Sequence, residues 1–213
     1  MRGIIRFIKQ LSPSSVKRRR GIALWKQNGS PVPPPHAVKY ITIKHYAQKF
    51  SLRVLVETGT FRGRMIRWAK NDFAKIYSIE MSAALHGEAK RKFARYPHIT
   101  LIQGDSGVEI APLVKELTRP ALFWLDSHFS GGNTARGEKD TPIMEELQHV
   151  LNAPNAGHVI LIDDARCFGS DPTYPVIAEL KDFVHAKNPN AVFTVRRDII
   201  IIEPAQTAGR ECV

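Results

Sequence analysis

From residue 53 onward the chain alternates short β-branched runs with helix-like stretches, and this alternation restricts the fold more than any other feature. The runs are Arg53–Glu57, Lys75–Glu80, Ile99–Gln103, Ala121–Asp126 and Val159–Asp163. Between them lie Arg64–Asn71, Ala83–Arg95, Val108–Leu117 and Pro142–Leu151, which read as helices. Such alternation predicts a parallel α/β sheet, doubly wound, with helices on both faces. Right-handed crossovers leave few topologies for it. Pro175–Ala186 adds one more helix. The end differs, because Ala191–Val195 and Ile199–Glu203 are separated only by Arg196–Asp198. That spacing predicts an antiparallel C-terminal hairpin.

The 213 residues suit a single domain with a full core. Its expected extent is 36–213, preceded by an arm and connector over 1–35. Met1–Val56 holds 12 Lys/Arg and no Asp or Glu, so the remaining 19 basic and 20 acidic residues nearly cancel. In the arm, Ile4, Ile5, Phe7, Ile8 and Leu11 fall on one helical face and Arg2, Arg6, Lys9 and Gln10 on the other. Such a segment can lie on an anionic membrane surface, aided by Lys17–Arg20, or pack on its own domain or a partner subunit with the basic run solvated. Ser30–Pro35 reads as an extended connector, and Ala37–Phe50 as a helix leading into the domain. Cys167 and Cys212 form neither a disulfide framework nor a zinc pattern, which points to the cytoplasm. Cys167 reads as a small buried apolar residue rather than a reactive thiol.

Ligands of open parallel sheets bind beyond the carboxyl ends of the strands. The first strand runs into Glu57-Thr58-Gly59-Thr60-Phe61-Arg62-Gly63, where Gly59 permits a tight turn and Gly63 a close approach at the next helix. The second strand ends on Glu80, a carboxylate placed to accept from both ribose hydroxyls. The third ends in Gln103-Gly104-Asp105-Ser106, where Asp105 can accept from an adenine amino group. Each acid taken singly also reads as a helix cap or turn residue. Their order along the chain is what argues for a nucleoside site.

These residues resemble the class I S-adenosylmethionine-dependent methyltransferases over roughly Val54–Pro204. The resemblance implies a Rossmann-like sheet of order 3-2-1-4-5-7-6. It also implies S-adenosylmethionine as cofactor, with Glu57 and Gly59 beneath the methionine part, Glu80 at the ribose and Asp105 at the adenine. Thr60, Gly63, Ser106 and Asp126 complete the expected cofactor-binding set. The usual G-x-G core is reduced to Gly59 and Gly63, and the G-x-G-x-x-G of nicotinamide enzymes is absent.

The fourth strand ends Trp124-Leu125-Asp126-Ser127-His128 and the fifth Ile162-Asp163-Asp164. Adjacent strands would bring Asp126, Asp163 and Asp164 to one rim, a ligand set suited to Mg²⁺. His128, two residues beyond Asp126, is placed to deprotonate an acceptor hydroxyl, making His128 and Asp126 the expected catalytic residues. This arrangement resembles the metal-dependent O-methyltransferases of the catechol and macrocin types, although His128 stands where the macrocin type has an acid and Asp163-Asp164 where the catechol type has Asp-Asn. The structural alternative is that Asp126 caps the following turn and Asp163-Asp164 pairs with Arg166. Phe129–Asp140, with Gly131, Gly132 and Gly137, suits a lid over substrate, in which Arg136 and Lys139 can meet an anionic group or stay solvated. Thr141 and Pro142 read as the cap and first residue of the next helix.

The expected function is O-methylation of a small-molecule or glycosyl hydroxyl. The alternatives are a nucleic-acid methyltransferase using the basic arm and a non-catalytic cofactor-binding module. Few aromatics in the arm and the lack of an N/D-P-P-Y-type motif weigh against nucleic acid as partner. Oligomeric state, a homo-oligomer included, is left open.

Overall fold

Strands β1 (Val54–Thr58), β2 (Lys75–Glu80), β3 (Ile99–Gln103), β4 (Leu122–Leu125) and β5 (Val159–Ile162) pair in parallel. In the computed structural model, which describes residues 13–126, 141–154 and 157–205, β7 (Ile199–Glu203) lies antiparallel between β5 and β6 (Val192–Arg196). The sheet order is 3-2-1-4-5-7-6, the expected one. Arg197 and Asp198 turn the hairpin, both at positive φ (54° and 64°). A pair of left-handed residues matches the twist of the strands it joins.

Helices α1 (Pro13–Gln27), α2 (His36–Lys49), α3 (Arg64–Ala69) and α4 (Ala83–Phe93) precede α5 (Ser106–Glu116), α6 (Ile143–Leu151) and α7 (Ile177–Lys187). Alternate residues of β4 serve opposite layers, as a pleated strand requires. Phe123 and Leu125 pack with Ile110 and Leu113 of α5, Leu147 of α6 and Leu180 of α7. Leu122 and Trp124 pack with Ile43 and Tyr46 of α2 and Met65 of α3. All four β4 residues are buried, so a charged substitution there has no solvated face to occupy.

Strands β2, β3 and β7 have the expected bounds, and the other elements differ by one to a few residues at their ends. Two shifts have local causes. Asp105 accepts from Gly107 N at 2.9 Å and so starts α5 at Ser106, two residues before Val108. Pro142 itself stands at the cap of α6, which begins at Ile143.

Helix α1 was not expected, because its basic run masks an inward face. Trp25 is buried and its Nε1 donates to Pro31 O at 2.7 Å. The Arg18 guanidinium lies 5.5 Å from the Tyr40 ring centroid and 5.4 Å from that of Trp68, a cation–π seat on α2 and α3. The apolar segment at residues 4–11 lies outside the described residues. No described helix is long and apolar enough to cross a membrane.

Candidate active site at the strand ends

The carboxyl ends of β1, β2 and β3 gather Glu57, Glu80 and Asp105 on one rim, where the parallel registers align Glu57 with Ser78 and Glu80 with Gln103. The connection after β1 is held tightly. Gly59 N donates to Ile79 O at 3.0 Å, and Phe61 N donates to Glu80 Oε2 at 2.7 Å. Ser82 N donates to Glu80 Oε1 at 2.9 Å. Glu80 therefore ties the β1–α3 loop to the start of α4, while each carboxylate oxygen retains a second lone pair for a ribose hydroxyl. Gly63 caps α3 at φ 63°, and a Cβ there would stand 2.6 Å from the Phe93 ring. Only glycine meets both conditions without strain.

Glu57 is 2% exposed and accepts from Ser78 Oγ at 2.6 Å. Ser78 Oγ in turn lies 2.6 Å from Thr60 Oγ1, which also donates to Ile79 O at 3.3 Å. Burial, reinforced by the nearby Glu80 charge, pushes the Glu57 carboxyl up to about 8 despite the Ser78 bond. Thr60 is thus engaged under the loop. Asp105 and Ser106 sit where β3 meets α5, with Asp105 also serving as the helix cap.

The second group lies beyond β4 and β5. Asp126, Asp163 and Asp164 each bring a carboxylate oxygen within 4.8 Å of the others. Asp126 N donates to Thr58 Oγ1 at 3.2 Å, which joins the β1 and β4 ends. Asp164 adopts φ 55°, turning the chain into a 3₁₀ turn at Ala165–Cys167. Its Oδ1 accepts from Arg166 Nη1 at 2.8 Å, so the pairing with Arg166 exists alongside the convergence of the three acids. Arg166 also binds Asp198 of the hairpin turn through Nη1 and, at 2.8 Å, through its backbone N. Cys167 is half-buried, and burial pushes its thiol up.

Lys39 of α2 is the residue that sequence reasoning missed. It is buried, its Nζ binds Asp163 Oδ2, and it lies 3.5 Å from Asp164 Oδ1. Burial, then the Asp163 charge, raise the Asp126 carboxyl well above its ordinary value, with Lys39 opposing. Asp163 is raised to about 6 by burial, against the Lys39 charge. One turn before Lys39, packing of the His36 ring and then the Arg64 and Lys39 charges push that imidazole down to about 4. Beside the acids, Thr141, Ile143 and Tyr174 line a small cleft with Leu125 and Ile162. His128 and the glycine-bearing segment with Arg136 and Lys139 lie outside the described residues.

No family model matches the chain, and no curated protein does. Solved structures do match in fold. The O-methyltransferase of Bacillus cereus, in complex with SAH, gives a TM-score of 0.60 at 15% identity, covering 92% of this chain and 94% of that one. The O-methyltransferase TomG of Streptomyces achromogenes, involved in tomaymycin synthesis and in complex with SAM, gives 0.56 at 16%, covering 89% of each. A candidate rRNA methylase of Clostridium thermocellum gives 0.51 at 13%, covering 76% of this chain and 94% of that one. The fold is that of class I S-adenosylmethionine-dependent methyltransferases.

Proposed function

We propose that the chain is an S-adenosylmethionine-dependent O-methyltransferase acting on a hydroxyl of a small-molecule or glycosyl acceptor. The observation that carries the reading is the pairing of two acid groups on one rim. Glu57, Glu80 and Asp105 stand at the ends of β1 to β3, and Asp126, Asp163 and Asp164 stand beyond β4 and β5. When bound, the cofactor supplies a methyl group that moves in line from sulfonium to acceptor oxygen, the C–S bond breaking as the C–O bond forms and SAH remaining. Glu80 holds the ribose, the turn at Gly59 and Gly63 brings backbone to the methionine part, and Asp105 with Ser106 borders the adenine. Such positioning accounts for much of the catalysis.

A divalent cation suits Asp126, Asp163 and Asp164. Asp163 Oδ1 is buried without a hydrogen-bond partner, while its Oδ2 is held by Lys39. An orphaned, buried carboxylate oxygen beside two further acids is a hard-cation donor set. Mg²⁺ there would lower the pKa of an acceptor hydroxyl. His128, close in sequence to Asp126, takes the hydroxyl proton. Tyr174 and Ile143 shape the acceptor side of the cleft.

The test is calorimetric titration of the protein with S-adenosylmethionine, with and without Mg²⁺, beside Glu80→Ala. Saturable binding that the variant loses supports the reading and justifies a screen of hydroxyl acceptors. Heat with NAD alone, or with neither ligand, refutes it.

A further inference from the structure

Charge is divided unequally across the molecule. Residues 13–95 hold 18 Lys/Arg against 4 Asp/Glu, whereas residues 96–213 hold 10 against 16. Of the four acids, Glu57 and Glu80 are buried at the strand ends, and Asp72 pairs with Lys44 at 2.5 Å. That leaves Glu88 to offset the outer surface of α1, α3 and α4. The three helices are joined there. Arg18 of α1 stacks on Trp68 of α3, next to the exposed Arg67. Lys92 of α4 reaches back to Arg62 O at 2.5 Å. Ile66 of α3 packs against Phe93 of α4, each beside one of the exposed cations Arg67 and Lys92, and burial and then the Arg67 charge hold the Lys92 ammonium below its ordinary value. Like charges gathered with so few counter-charges repel one another and destabilise the folded chain, unless a polyanion offsets them.

We propose that the α1–α3–α4 face docks on an anionic bilayer surface. Two features favour lipid over nucleic acid. On α1, Val16 (51% exposed) and Leu24 (56%) flank Arg20 at a spacing of four residues, forming an exposed row with aliphatic side chains on either side of a charge. Such a row inserts its apolar groups below the headgroups while the arginine meets phosphate. Of the aromatic rings beside the face, Tyr40 and Trp68 are covered by Arg18 and the exposed Phe61 by Arg62, so each has at most one ring face left for base stacking.

The experiment is co-sedimentation of the full chain with phosphatidylcholine vesicles, with and without phosphatidylserine, at two salt concentrations. The wild type binds only the phosphatidylserine vesicles, and salt weakens binding. Arg67→Gln/Lys92→Gln/Arg95→Gln, the last an exposed residue two positions beyond α4, leaves residues 1–27 intact and binds about a hundredfold more weakly, from about fivefold per lost charge. Val16→Ser/Leu24→Ser weakens vesicle binding and leaves affinity for a single-stranded RNA oligonucleotide unchanged. Unaltered melting temperatures show that the variants fold. Vesicle binding of the triple variant equal to wild type overturns the proposal, because α3 and α4 then play no part. RNA binding tighter than vesicle binding at equal salt, lost in the triple variant, also overturns it and assigns the face to nucleic acid.

Discussion

Replacing Lys39 by methionine keeps most of the apolar stem of the side chain but removes its charge. Nζ binds Asp163 and lies 3.5 Å from Asp164, with a side-chain exposure of only 10%. Removing one member of a buried ion pair costs about 3–5 kcal/mol, because the remaining charge is left uncompensated. For a domain of this size each kcal/mol shifts the melting temperature by about 2–4 °C, so Lys39→Met should melt about 6–20 °C below wild type near neutral pH. The deficit should depend on pH. Burial already raises the Asp163 carboxyl to about 6 from an ordinary 3.8, and losing Lys39 raises it further. A group raised in the folded state favours folding below its unfolded pKa, and that contribution is lost as pH rises through the folded value. The deficit is therefore greatest above pH 7 and shrinks towards pH 5, where the carboxyls bind protons. Thermal melts of both proteins across that range measure it. A deficit that is constant with pH would assign the loss to packing, and no deficit at all would show that the acids do not depend on Lys39.

The other predictions concern the cofactor rim and the cation. The Glu57 carboxyl lies near 8 in the free protein, and a cationic sulfonium ligand favours its ionised form. S-adenosylmethionine affinity should then rise with pH and level off above about 8, with proton release on binding below it; calorimetry in buffers of different ionisation enthalpy reads both, and a flat profile refutes the role of Glu57. Gly63→Ala places a methyl group 2.6 Å from the Phe93 ring at φ 63°. It should destabilise the fold by about 1–3 kcal/mol in urea titration, and pairing it with Phe93→Leu should recover only the part due to the clash. Asp163→Asn removes the carboxylate whose Oδ1 is unpartnered. It should weaken Mn²⁺ binding, followed by electron paramagnetic resonance, by about tenfold or more, and equal affinity would exclude Asp163 as a ligand.

What the sequence revealed of this molecule, and what it hid, divides along one physical line. Strands β3 and β7 were legible to the residue because each is a β-branched run next to residues that break it, Pro97 and Gly104 around β3 and Pro204 after β7, while β2 was legible from its place between two helical stretches. The rim acids were legible because a doubly wound sheet places its ligands at strand ends, so that finding the strand finds Glu80, Asp105 and Asp126. Residues reaching the same rim from elsewhere carry no such positional signal. Lys39 lies 124 residues from Asp163 in sequence and sits between Val38 and Tyr40, where it looks like one more basic residue of a helix. Ser78 and Thr58 look like ordinary strand residues, and their hydroxyls matter only because β1 pairs with β2 on one side and β4 on the other. Helix α1 escaped for the opposite reason. Its seat depends on Arg18 and Trp25, while Val16 and Leu24 face outward, so apolar periodicity points away from the packed side. A helix whose inward face includes a guanidinium and whose outward face carries aliphatics violates the usual division between core and solvent. That inversion has a physical rationale if the outward surface of α1 meets lipid rather than water.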